Sequence, residues 1–208
     1  VFTFHYWLAM GHSIEEVKEL DRHVREHAPD NVMKGSRDYW HAWVERNHWD
    51  FYGLGDTLIE LFKKSQFYLR SHVDRRGGVI ASGDSDMLQG GRDTYAYVWP
   101  RDSAYVATAL DWIGDRHSAR QFFEFCAKSV TKDGYLMHKY RADGSLGSSW
   151  HGWLVDGRPE LPIQEDETAL ILWALWEHWL VSKDLDFIES IYESFIKKAA
   201  VFLTAHRD

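Results

Sequence analysis

Two consecutive helical stretches restrict the fold more than any other feature of this sequence. Residues 167–182 are apolar nearly all round, through Ala169, Leu170, Ile171, Leu172, Trp173, Ala174, Leu175 and Trp176. Residues 186–204 are apolar on one side only, with Phe187, Ile188, Ile191, Tyr192, Phe195, Ile196, Ala199 and Phe202 at helical spacing. A helix that is apolar all round has to be covered on every side, whereas a one-sided helix keeps a face for water. An inner helix beside an outer one is the unit of a double ring of helical hairpins. The same period predicts helices over about 58–72, from Asp102 or Ser103 to Gly114, and over about 116–131, with Pro100 read as a helix breaker. Five such helices make about half of a twelve-helix toroid, so an all-α chain is expected.

Between these helices lie two long connections, residues 76–101 and 132–165. Connections longer than about 12–15 residues are uncommon in a compact domain unless they carry function or are disordered. These are rich in Trp, Tyr and Gly rather than Ser, Glu and Lys, which argues against disorder. In the second, Asp-Gly pairs at 133–134, 143–144 and 156–157 mark turns, leaving room for a small β-hairpin. Both connections stop just before an inner-type helix. That places 95–102 and 138–166 at one end of the ring, where a pocket is expected.

The first 53 residues read differently. Ser13-Ile14-Glu15-Glu16 is a capping box that opens a helix to about His27, ending before Pro29. Residues 1–10 are apolar and read as the last strand of something upstream. They are too short to span a membrane and have no basic flank for a signal peptide. A cytoplasmic protein without membrane attachment is therefore expected. A Trp-rich stretch follows, with Tyr39, Trp40, Trp43, Trp49, Phe51 and Tyr52. His23 and His27 have metal-compatible spacing, but HVREH lacks the Glu placement of a zinc protease and no third ligand is evident. They read as a solvated helix face, and no metal or cofactor is expected. The single cysteine, Cys126, rules out an intrachain disulfide. The sequence begins at Val1 and stops at Asp208 without a polar tail, so both ends are expected to be cut.

The net charge of −8 comes without a basic patch, which disfavours nucleic acid as a partner. Eleven Trp in 208 residues is several times the usual share. Core packing accounts for more than half of them; the rest suit stacking on the C–H face of a sugar ring. The segment YAYVWPRD, residues 95–102, concentrates this chemistry. An isolated Arg-Asp pair at a helix start reads as a cap plus a surface charge. Here it follows a Trp and two Tyr at the end of a Gly-rich loop. Arg101 offers planar donors and Asp102 acceptors for vicinal hydroxyls, with Trp99 as the stacking face.

YVWPRD resembles the segment that opens the catalytic domain of glucoamylase-type glycosidases, glycoside hydrolase family 15. DGYLMHKYRADGSLGSSWH (133–151) and LPIQEDETAL (161–170) match in the same order. The likeness covers about residues 80–208 and is to the bacterial and archaeal branch. It implies an incomplete (α/α)6 toroid over 54–208, the N-terminal part of a catalytic domain. Residues 1–53 become a linker region after an upstream β-sandwich, its last strand plus a linker helix. The implied activity is inverting hydrolysis of α-glucosidic bonds from non-reducing ends of an oligo- or polysaccharide. A trehalase or another α-glucosidase on the same toroid, or a non-catalytic carbohydrate-binding relative, would carry the same motifs. By resemblance, Tyr95, Trp99, Arg101 and Asp102 line the innermost glucose subsite. Trp150 and His151 belong to the same substrate-binding surface, and Gln164 and Asp166 support it. A pocket Trp of fungal members would fall near Glu160 and is absent here. The family's acid lies in a motif of the type DLWEE, which this sequence lacks, and its base lies further on. No catalytic carboxylate is therefore assigned within the chain. Glu165, Asp166 and Glu167 read as first-turn acids at a helix start, favoured by the helix dipole.

Overall fold

The computed structural model describes residues 2–83, 95–147, 154–161, 163–164 and 166–206. These fall into two compact units, Val1–Gly53 and Leu54–Asp208.

The first unit holds α1 (Ile14–His27) and α2 (Pro29–Val44). Ser13 Oγ accepts from Glu16 N at 3.1 Å, and Glu16 Oε2 accepts from His12 N at 2.7 Å, so the first turn is capped from both sides. The Trp-rich stretch is partly helical, because Pro29 opens a second helix at its first position, where its missing N–H costs nothing. The expected strand over 1–10 does not form among the described residues. A strand needs a neighbour for its backbone groups, and none pairs with this segment among the described residues. Phe2, Phe4, Tyr6, Leu8 and Met10 all stand exposed. Trp7 is the exception, donating its indole N–H to Asp21 at 3.0 Å.

The second unit runs α3 (Asp56–Ser71), α4 (Pro100–Trp112), α5 (Arg116–Ser129), a hairpin of β1 (Leu154–Val155) and β2 (Arg158–Pro159), α6 (Glu167–Ser182), α7 (Leu185–Ile191) and α8 (Lys197–Ala205). A π-helical turn, Tyr192–Ile196, joins the last two into one rod. The hairpin turns at Asp156 and Gly157, both at positive φ (50° and 76°), the geometry that suits a two-residue loop. Pro100 does not break a helix but opens one, two residues earlier than the sequence pattern suggests.

α4 packs against α6 and α5, and α6 against α8. Leu110, Phe122, Phe123, Ile171, Phe187 and Phe195 are buried between them, and Cys126 is buried on α5. Across α4 and α6, the carboxylate of Asp111 meets His178 Nδ1 at 2.8 Å, with the rings of Phe123 and Phe187 at 5.2 and 5.8 Å from the imidazole. Trp112 and Trp176 stay exposed (65% and 55%), so the apolar residues of the inner-type helices are not all covered within the described chain.

The two long connections meet. Val98 and Tyr140 exchange backbone hydrogen bonds of 2.8 and 2.9 Å. Ser103 Oγ donates to Val79 O at 3.2 Å, tying the start of α4 to the first connection. Thr168 Oγ1 accepts from Leu136 N at 3.0 Å, tying the start of α6 to the second. Gly134 (φ +96°) lies so close to α8 that a Cβ there would stand 2.2 Å from the Lys198 carbonyl oxygen. Tyr140 fastens the second connection to α5: its hydroxyl accepts from Met137 N at 2.7 Å and donates to Ser129 O at 3.2 Å. Tyr140→Phe leaves the buried Met137 N–H and the part-buried Ser129 carbonyl without this partner. It is expected to cost about 1–2 kcal/mol, measured as a shift in urea midpoint at unchanged slope.

Candidate functional site

Three separate segments converge where the connections meet. The end of the first connection brings Tyr95 and Trp99, the first turn of α4 brings Arg101 and Asp102, and the second connection brings His138 and Gln164. With Ala81 they enclose a cavity of about 190 Å³. This is smaller than the roughly 300–1,000 Å³ typical of drug-sized ligands and suits a single sugar ring.

The aromatic wall is firmly held. Trp99 is 6% exposed. Its ring lies 5.6 Å from that of Tyr95 and 5.8 Å from that of Tyr97. Lys139, itself buried, places its ammonium 4.3 Å from the Tyr97 centroid and 5.4 Å from that of Trp99. A desolvated ammonium over aromatic faces is a favourable cation–π contact, and it fixes the ring from behind.

Arg101 and Asp102 do not pair with each other. Neighbours on a helix point about 100° apart. Arg101 instead reaches across to α6, where its Nη1 donates to Asp166 Oδ1 at 3.4 Å. Asp166 is the N-cap of α6 but makes no capping hydrogen bond; its side chain serves Arg101. Asp102 is exposed on the cavity side and is not needed as a cap, since α4 has no side-chain cap hydrogen bond and its N-cap is Trp99. Asp102 thus lines the cavity without being held by a cap bond. Gln164 turns its Oε1 into a buried position with no partner among the described residues.

Glu167 departs most from its expected character. It is a first-turn acid, yet it has no exposed surface, because the start of α6 is roofed by the second connection. Burial pushes its carboxyl up to about 9; Asp166 and Asp102 add to the rise, and Arg101 opposes it. It stands behind the cavity wall, 3.7 Å from Nδ1 of His138. His138, Lys139 and Glu167 lie within the segments that match the family, and the sequence alone gives the first two no role. Their only signal was position, since nothing local distinguishes a buried Lys or Glu from a surface one. Trp150, His151 and Glu165 lie outside the described residues.

Among the described residues, no group of three His, Cys, Asp or Glu is placed to hold a metal ion, and no helix is long and apolar enough to cross a membrane. Comparison with known proteins agrees with the architecture. The family model for glycosyl hydrolases family 15 matches residues 67–206. An uncharacterized glycosyl hydrolase of Methanocaldococcus jannaschii is 32% identical over 178 residues, which cover 84% of this chain and 26% of that protein. Among solved structures, a wild-type glycosidase shares 20% identity at a TM-score of 0.54, and a glycosidase variant in complex with glucose shares 21% at 0.54. Each of these matches covers 74% of this chain and 43% of the other. The matches therefore span about a quarter of the archaeal relative and less than half of the solved glycosidases. The solved structures establish a fold of the helical toroid type. The family match and the archaeal relative together establish that this chain belongs to the glycosyl hydrolases of family 15.

Proposed function

We propose that this chain supplies the glucose-gripping part of a glucoamylase-like site, which hydrolyses α-glucosidic bonds from non-reducing ends with inversion. The observation that carries this reading is the convergence of Tyr95, Trp99, Arg101, Asp102 and Gln164, drawn from three segments, on one cavity of about 190 Å³. An aromatic wall stacks on the apolar face of the ring. Arg101 donates to hydroxyl oxygens, and Asp102 accepts from hydroxyl hydrogens. Glucose is the natural first ligand to test, since one protein of this fold was solved with it.

Inverting hydrolysis needs two carboxyls on opposite sides of the bond, about 6.5–9.5 Å apart. Glu167 keeps its proton at neutral pH, as a general acid must, but it stands behind the cavity and is fully covered. It has the proton without the access. The acid and base are expected on residues beyond those of this chain, in a protein that acts on an α-glucan or a related glucoside.

Calorimetric titration with glucose tests the grip. Saturable binding by the chain is expected, weakened by Trp99→Ala, with no release of glucose from maltose. Absence of saturable binding would overturn the reading. Steady release of glucose that is lost in Glu165→Gln would show that a catalytic carboxylate lies within the chain.

A further inference from the structure

A second cavity adjoins the first. Its volume is about 240 Å³, and it shares Ala81, Trp99 and Asp102 with the grip. The rest of its wall is of a different kind. Leu69 comes from α3, Val79 and Ile80 from the first connection, and Val106 from α4, with Tyr68 and His72 at the end of α3.

The polar atoms built into this wall are largely spent on one another. Ser103 Oγ donates to Val79 O at 3.2 Å. His72 Nδ1 donates to Tyr68 O at 2.8 Å, and His72 O accepts from Ile80 N at 3.0 Å. Ala81, common to both cavities, donates its N–H to Tyr97 O at 2.9 Å. These bonds hold the wall in shape without a ligand. Asp102 already belongs to the grip, which leaves the second cavity walled mainly by aliphatic carbon. A second glucosyl ring seated here would set hydroxyls against Leu69, Val79, Ile80 and Val106, and a buried hydroxyl without a partner is costly. An apolar group meets no such penalty and gains by leaving water. A dry cavity of about 150 Å³ holds benzene, so this one has room for a phenyl ring or a short branched alkyl group with its link to a sugar.

We propose that the second cavity is a subsite for an apolar group carried by the gripped sugar. A glucosidic bond is made at C1, so that group is the aglycone, and the ligands this chain prefers are glucosides of aryl or alkyl alcohols. The sugar half of the proposal rests on the glucose-gripping reading; the second cavity adds the selection between glucosides.

Calorimetric titration of the chain compares glucose, maltose and phenyl α-D-glucopyranoside. The phenyl glucoside is expected to bind about tenfold more tightly than either of the others, from the apolar area it buries. Val106→Phe fills the second cavity from α4, and Leu69→Asn sets an amide in its wall. Each is expected to abolish the gain while glucose affinity stays within about twofold, with thermal melts to show that the variant is folded. A phenyl glucoside that binds no more tightly than glucose or maltose overturns the proposal, and that comparison needs no variant. A gain that survives in both folded variants also overturns it, since the phenyl ring then sits elsewhere. If none of the three ligands binds, the gripping reading falls and takes the proposal with it. If glucose binds and the phenyl group adds nothing, the proposal falls alone.

Discussion

Asp102→Asn lowers kcat/KM for maltose about a hundredfold in the catalytically competent protein, about 2.7 kcal/mol of transition-state binding, while the melting temperature moves little. The geometry gives both halves of this expectation. Arg101 is already engaged by Asp166 at 3.4 Å, so Asp102 is not spent on an internal ion pair. Nor is it spent on capping α4. It lines a cavity walled by Trp99 and Tyr95, where hydrogen bonds from hydroxyls to a charged acceptor are stronger than in water. Asn keeps the shape and loses the charge and half of the acceptor capacity. Stability is scarcely involved, because Asp102 is exposed. The substitution forfeits only a first-turn dipole contribution of about 0.3–1 kcal/mol. Steady-state kinetics on both proteins, with thermal melts alongside, make the check. An Asn variant that unfolds, while its surviving folded fraction keeps full kcat/KM, would reduce Asp102 to a structural residue of the helix start.

The contrast between Asp102 and Glu167 shows what the sequence could and could not disclose. Most helices were legible because burial on one face writes a 3.6-residue period into any chain, whereas α6 at 167–182, apolar nearly all round, was legible from the length of its apolar run. The meeting of the two connections was legible from their position before inner-type helices, and the pairing of Val98 with Tyr140 realises it. Three things were hidden. Pro29 and Pro100 read as breaks although both open helices, since a proline at a first helical position looks the same in sequence as one that ends a helix. The partner of Arg101 lies 65 residues away, and no local pattern encodes that choice over its neighbour Asp102. The burial of Lys139 and Glu167 depends on how the connections fold over the helix starts. Charged residues are so rarely buried that composition argues the other way. The residues proposed for the grip were therefore nameable from their chemistry, and the layer behind them was not.

That layer gives the second large effect, a pH dependence of stability carried by one carboxyl. Glu167 titrates at its ordinary value near 4.5 in the unfolded chain and at about 9 in the folded one. Between these limits the folded state holds a proton that the unfolded state has lost. Stability from this group is therefore greatest below about pH 4.5, declines as pH rises, and is fully lost above about pH 9. At pH 7 the loss is about 3 kcal/mol, from roughly 1.4 kcal/mol per unit of difference. Glu167→Gln cannot ionise and fills the same space. It is expected to match the unsubstituted protein near pH 4 and to exceed it by about 3 kcal/mol at pH 7, roughly 10 °C in melting temperature for a chain of this size. Other titrating groups, among them Asp111, whose carboxyl pKa burial also raises, act on both proteins and cancel in the difference. The measurement is a pair of melting curves at intervals from pH 4 to pH 9. A difference that widens with pH supports a protonated, covered Glu167. Parallel curves, or a Gln variant that is the less stable at pH 8, would mean that the carboxyl is ionised in the folded protein and paired there.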